Sequence, residues 1–158
     1  MNNVIIYKPA TPGYENAPTV ILQGHMDMVC EKRPDVQHDF EKDGLNLSVK
    51  DGYVTANGTT LGGDDGIAVA YALALLDSTD LPHPALEVLI TVDEEIGLLG
   101  AVGLDCSVLK GKRMINMDSE AEGSLWISCA GGLSAVSHIP VARVDARRRK
   151  TSDKKYAA

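Results

Sequence analysis

Apolar and polar positions along this chain fall into short runs that predict alternating strands and helices. Residues 3–8 read as a strand, and 9–13, with two prolines and a glycine, as a loop. Residues 19–23 form a short apolar strand ending at Gly24, and the polar, irregular stretch 30–44 reads as a surface loop. Residues 45–49 alternate, 50–52 turn at Gly52, and 53–56 return, which predicts a hairpin. Residues 66–77 are Ala-rich and apolar on most faces, the pattern of a helix sandwiched between layers. After the prolines at 82 and 84, residues 86–92 make a continuous apolar run of the kind found in fully buried strands. A turn into a short helix is expected over 94–104, and strands over 113–117 and 125–128. Strands alternating with helices, most of them buried, predict an α/β fold: a mixed sheet flanked by helices.

Composition narrows the setting. At 158 residues the chain suffices for one domain with its own core. It has no apolar run of about 18 residues, so no membrane span is expected. The start lacks the basic region, long apolar stretch and cleavage site of a signal peptide. Cys30, Cys106 and Cys129 are odd in number and widely spaced, which argues against a disulfide framework and for packing or bystander thiols. A cytoplasmic location follows. The net charge of −7 is uneven: residues 143–158 hold seven Lys/Arg against two Asp, and the remainder carries a net of −12. An acidic body does not suit a nucleic-acid backbone, and the basic end, short of aliphatics, reads as a solvated, disordered tail.

Four clusters carry the candidate chemistry: His25-Met26-Asp27, Asp64-Asp65, Asp93-Glu94-Glu95 and Asp118. Each closes an apolar run or opens a glycine-marked turn. At a strand end, residues two apart point the same way, so His25 and Asp27 share a face while Met26 turns into the layer behind. Asp64 and Asp65 lie between glycines with no Lys or Arg nearby in sequence; one plain alternative makes Asp65 the helix N-cap and leaves Asp64 in solvent. The three acids at 93–95 sit at the carboxyl end of a buried strand, where α/β sheets place ligands, although a helix N-terminus also attracts acids. Any one cluster is ambiguous. In series at strand ends, they are how a hydrolase gathers imidazole and oxygen donors for metal. His38, in a polar loop, and His83, between prolines, are expected at the surface; His138 is unassigned.

Several segments in order resemble the zinc aminoacylase/carboxypeptidase superfamily of co-catalytic metallopeptidases, nearest to its branch of cytosolic aminoacyl-histidine dipeptidases. They are LQGHMDMV at 22–29, HDFEK at 38–42, Asp51-Gly52, VTANGTTLG at 54–62, LEVLITVDEE at 86–95, GKRMINMDSE at 111–120 and CAGG at 129–132. The resemblance covers about residues 3–142. It implies two divalent metal ions, zinc first and Mn²⁺ or Co²⁺ as substitutes. Metal ligands would be His25 and Asp118 on one ion, Glu95 on the other, and Asp64 shared. Glu94 would be the general base, Asp27 would orient His25, and the Asp64–Asp65 peptide bond would be cis. The implied function is metal-dependent hydrolysis of dipeptides, of Xaa-His type or broader.

Gly63 and Asp65 stand where that branch usually has Ala and Asn, and Ile96 replaces a usual Thr; both changes are expected to tune the site. Members of the branch are longer. They have a helical segment before the first strand, an inserted lid or dimerisation domain with substrate-binding residues, and a late His completing the Glu95 metal; they are expected to be homodimers. Residues 1–142 are therefore expected to be a partial zinc-peptidase catalytic domain, with 143–158 as its tail, and weak or absent turnover by this chain alone is expected. Two alternatives stay open: an N-acyl amino acid deacylase using the same site, and a non-catalytic metal-binding remnant.

Overall fold

The computed structural model describes residues 2–119, 121 and 123–141. The chain divides into one compact unit ending at Glu122 and a second from Gly123 onward. The expected boundary at 142/143 and the basic tail lie at or outside the limit of the described residues.

The first unit is built on a four-stranded mixed sheet, β1 (Val4–Lys8), β2 (Val20–His25), β5 (Leu86–Thr91) and β6 (Arg113–Asn116), in the order β1-β5-β2-β6. Strand β1 runs antiparallel to β5, whereas β2 is parallel to both β5 and β6. This polarity positions everything that follows. The carboxyl ends of β2, β5 and β6 emerge on one edge, so residues just past each strand meet although they are far apart in sequence. The hairpin β3 (Leu47–Lys50) and β4 (Tyr53–Ala56) forms a separate two-stranded sheet. Among the described residues, 125–128 form no strand; Leu125 and Ile127 are fully exposed and have no ladder partner, and an unpaired apolar run does not hold an extended strand.

Helix α1 (Gly63–Asp77) packs on one face of the sheet through Ala68 and Ala72, both fully buried. The core joins Leu22, Ala72, Leu86, Val88 and Ile90, with Val20, Val69, Leu75 and Met117 against it. Small side chains let the helix approach closely. A Cβ at Gly24 would stand 2.5 Å from both the Ala68 Cβ and an Asp65 carboxylate oxygen, so only glycine fits where β2 passes under the helix. The helix is sandwiched less completely than its apolar pattern predicts: Ile67, Tyr71 and Leu73 are more than half exposed. Its C-terminal end is tied down by Lys8, whose ammonium donates to the carbonyls of Leu75 (2.7 Å) and Leu76 (3.1 Å), neutralising the negative end of the helix.

The opposite face is partly covered by the segment leading into β6. Glu87, buried within apolar β5, accepts from the Lys110 N–H (2.9 Å) and the Gly111 N–H (3.0 Å). That satisfies a carboxylate that would otherwise be costly to bury, and it fixes where β6 begins. His83, expected at the surface, is 8% exposed: its backbone N–H donates to Thr11 Oγ1, and Nδ1 donates to the Pro84 carbonyl at 2.7 Å. The flanking prolines fold it inward against the first loop. His38 is half-buried, edge-on to Phe40. Cys30, Cys106 and Cys129 are free and exposed, not packed.

Candidate metal centre

Strand β2 delivers a fully buried imidazole, His25, to the sheet edge. Its Nδ1 lies 3.0 Å from the main-chain oxygen of Asp27. A carbonyl only accepts, so Nδ1 carries a proton there, and Nε2 is the nitrogen left to face outward. Around Nε2 stand three carboxylates: Asp64 Oδ1 at 3.1 Å, Glu94 Oε2 at 3.9 Å and Asp118 Oδ2 at 3.9 Å. Glu95 completes a second grouping with His25 and Glu94, beside the grouping of His25, Asp64 and Asp118. The structure thus brings all six residues singled out in the sequence to one place. They arrive from the ends of β2, β5 and β6 and from the start of α1.

Local structure explains each arrival. Met26 N–H still donates to the Thr91 carbonyl, but β2 has ended, so its side chain is 45% exposed and does not turn into the layer behind as strand alternation predicts. Asp27 instead folds back under His25: Oδ1 is 3.4 Å from Nδ1, and Oδ2 accepts from the Glu95 N–H at 3.1 Å. The peptide bond between Asp64 and Asp65 is cis. Asp64 faces the site, half exposed, while Asp65 turns inward, 1% exposed, and accepts from the backbone N–H of His25 at 3.1 Å. Asp64 and Asp65 have non-helical backbone angles, so the regular turns of α1 begin after them, and the Ala68 N–H three residues on favours the ionised Asp65 carboxylate. Past β5 the chain reverses through Asp93 in the left-handed region (φ 55°) and folds back on the strand end. Asn3 braces that reversal: its Nδ2 donates to the Gly100 carbonyl (2.8 Å), and its Oδ1 accepts from the Val92 N–H (3.2 Å).

Sequence reasoning passed over Asn3, Glu87 and the inward role of Asp65. A lone acid inside an apolar strand signals a need for buried partners, so Glu87 was legible in principle. Asn3, polar and just before a strand, carried no such signal.

The electrostatics ask for positive charge. Burial and the carboxylates of Asp64 and Asp65 push Asp118 up to about 6. Burial alone would lower His25, but the hydrogen bond to Asp64 and the charges of Asp118 and Asp27 outweigh it and raise the imidazole. Burial likewise raises Asp65. Asp27 goes the other way: against its desolvation, the backbone N–H groups of Glu94 and Glu95 hold its carboxyl below the ordinary range. Protons therefore gather where carboxylates crowd the imidazole, which is what a site built around cations does when it titrates without them. One neutral imidazole nitrogen with several carboxylate oxygens suits a divalent ion of the zinc, manganese or cobalt kind. The buried Asp27 Oδ1, lacking any hydrogen-bond partner, belongs to the support behind the imidazole.

Comparison with known proteins gives these contacts a lineage. Residues 21–126 match the model of peptidase family M20/M25/M40. The chain is 46% identical over 143 residues to the cytosol non-specific dipeptidase of Escherichia coli (strain K12), covering 90% of this chain and 30% of that protein. The crystal structure of aminoacylhistidine dipeptidase from Vibrio alginolyticus superposes with a TM-score of 0.74 at 51% identity, over 77% of this chain and 25% of that one. The aminopeptidase PepT of Bacillus cereus ATCC 10987 superposes at 0.59 and 35% identity, over 75% of this chain and 30% of that one. The chain therefore spans less than a third of the length of the relatives it matches. With the parallel strand ends and the acid-imidazole cluster inside the matched span, this chain belongs to peptidase family M20/M25/M40.

Proposed function

We propose that the cluster is the metal centre of a dipeptide hydrolase, acting on unblocked dipeptides of Xaa-His or broader type. The observation that carries the reading is the Nε2 of a fully buried imidazole ringed by three carboxylates. Among the described residues, their only cationic neighbour within bonding reach is His25 itself. The printed names of the relatives, a non-specific dipeptidase and an aminoacylhistidine dipeptidase, support the substrate class.

His25 and Asp118 would hold one divalent ion and Glu95 the other, with Asp64 shared, zinc being the first candidate. Such a pair supplies, when bound, a water acidified toward neutral pH and a polarised scissile carbonyl. The chain's own residues do the rest. Glu94, at the rim and 29% exposed, takes the proton of the attacking water and returns it to the departing amine. Asp27 holds the His25 ring and, through the Glu95 N–H, ties the two halves of the site together. Asp65 anchors the His25 backbone.

Among the described residues, only Asp64 and Glu95 serve the second ion in this assignment, so these residues hold it more weakly than the first. The setting we propose is cytoplasmic, as the name of the E. coli relative suggests. Among the described residues no helix is long and apolar enough to cross a membrane. Calorimetric titration with Zn²⁺, paired with assays on Xaa-His dipeptides, other dipeptides and N-acetyl amino acids, tests the reading. Zinc binding with dipeptide release supports it. Binding with release of acetate alone makes the chain a deacylase, binding without turnover makes it a metal-binding remnant, and no binding sinks the metal centre.

A further inference from the structure

Beside the cluster, between the start of α1 and the end of β6, lies a cavity of about 190 Å³. One wall is the metal centre itself, Asp64 and Asp118. Ile67 and Met117 also line it, with Gly63, Asp65 and Ser119. Met117 is fixed: it packs against the core, and its N–H donates to the Gln23 carbonyl at 3.1 Å. Ile67 is not a core residue; at 54% exposed it presents an aliphatic side chain to the opening. No Lys or Arg lines the space.

We infer that this cavity is a substrate subsite for one uncharged apolar side chain flanking the scissile bond, and that Ile67 sets its size. The inference rests on the proposed hydrolytic reading, because a bond presented to Asp64 and Asp118 has its neighbouring side chain beside this opening. A cavity of that volume holds roughly six waters at about 30 Å³ each, the scale of a single side chain and not of a longer peptide. Where Ile67 and Met117 line it, displacement of those waters by hydrocarbon is favoured. Leucine, methionine and valine are the expected occupants, and glycine leaves the cavity to water.

The test uses this chain loaded with zinc, with the Ile67 δ1 and Met117 ε methyl groups followed by NMR as Leu-Gly, Gly-Leu and Gly-Gly are titrated in. Leu-Gly or Gly-Leu should shift both methyls, whichever does so reporting the side of the scissile bond, while Gly-Gly should leave them in place. Ile67→Phe should weaken that leucyl dipeptide at least tenfold against a change under twofold for Gly-Gly, and Ile67→Ala should improve binding of the corresponding Phe dipeptide. Exposed positions such as this tolerate substitution with little cost to folding. Unmoved methyls, or equal weakening of Leu and Gly dipeptides by Ile67→Phe, would overturn the subsite while leaving the metal centre intact. Zinc titrations of the same samples separate the two readings: if zinc itself does not bind, the hydrolytic proposal fails first and the subsite with it.

Discussion

The behaviour of His25 is set by two contacts on opposite sides of one ring. Nδ1 is committed to the Asp27 carbonyl, and Nε2 is left to the carboxylates of Asp64, Glu94 and Asp118. Replacing Asp27 by alanine removes the carboxylate behind the ring and frees the Glu95 N–H; zinc affinity should fall about 10- to 100-fold, the usual cost of losing such a supporting group, as read by calorimetry. The raised groups give a pH signature with a definite sign. Asp118, at about 6 in the folded chain against 3.8 ordinarily, and His25, raised above 6.5, both hold their protons more tightly when folded. Their contribution to stability is complete below the unfolded values and is lost as pH rises through the folded ones. Metal-free chain should therefore melt at progressively lower temperature from about pH 5 to pH 8. Saturating zinc should remove or reverse that slope, because the ion competes with the same protons. A metal-free melting temperature that climbs over this range would contradict the charge arrangement. At this scale the sequence was most informative where chemistry needs particular residue types. That these six residues would cluster was legible because strand ends in series display oxygen and imidazole donors. Asp65 was legible only as a cap, since its second contact, to the His25 backbone, depends on which way α1 crosses β2.

Elements turn those residues into a site through one fact of topology, the parallel alignment of β2 with β5 and β6. Where α1 crosses β2, Gly24 leaves no room for a methyl group. Gly24→Ala should cost about 1–3 kcal/mol through overpacking, measured by urea denaturation, and it should weaken zinc binding as well because the displaced atoms include the Asp65 carboxylate. Glu87→Ala leaves the Lys110 and Gly111 N–H groups without their acceptor, a loss of about 1–3 kcal/mol for buried unsatisfied groups. Most strands and the long helix followed from hydrophobic period, and β5 above all, because a strand buried on both faces has few polar positions to spare, here Glu87 and the terminal Thr91. Residues 125–128 misled for a related reason: a short apolar run describes what a strand needs to bury, not whether a neighbouring strand exists to pair with it. The turn after Thr91 was placed correctly, whereas its bracing by Asn3 joins residues almost ninety apart, which no local pattern carries.

For the whole molecule, the expected α/β architecture is present as a mixed sheet with one long helix on a face and short helical turns elsewhere. The cluster lies entirely within the first compact unit. Residues 123–141, exposed throughout, should be open to chymotrypsin near Trp126 and Leu133. The fragment remaining should bind zinc within twofold of the intact chain; a larger loss would mean that the later segment takes part in the site. His25, Asp64, Glu95 and Asp118, scattered through the sequence, would converge on divalent metal. The most direct test of this convergence is anomalous diffraction at the zinc edge from crystals of the zinc-loaded chain. The account predicts a peak at about 2.0–2.2 Å from His25 Nε2 and from carboxylate oxygens of Asp64 and Asp118, with a second, weaker one beside Glu95. Zinc found only at surface cysteines or histidines, with none at this cluster, would contradict it.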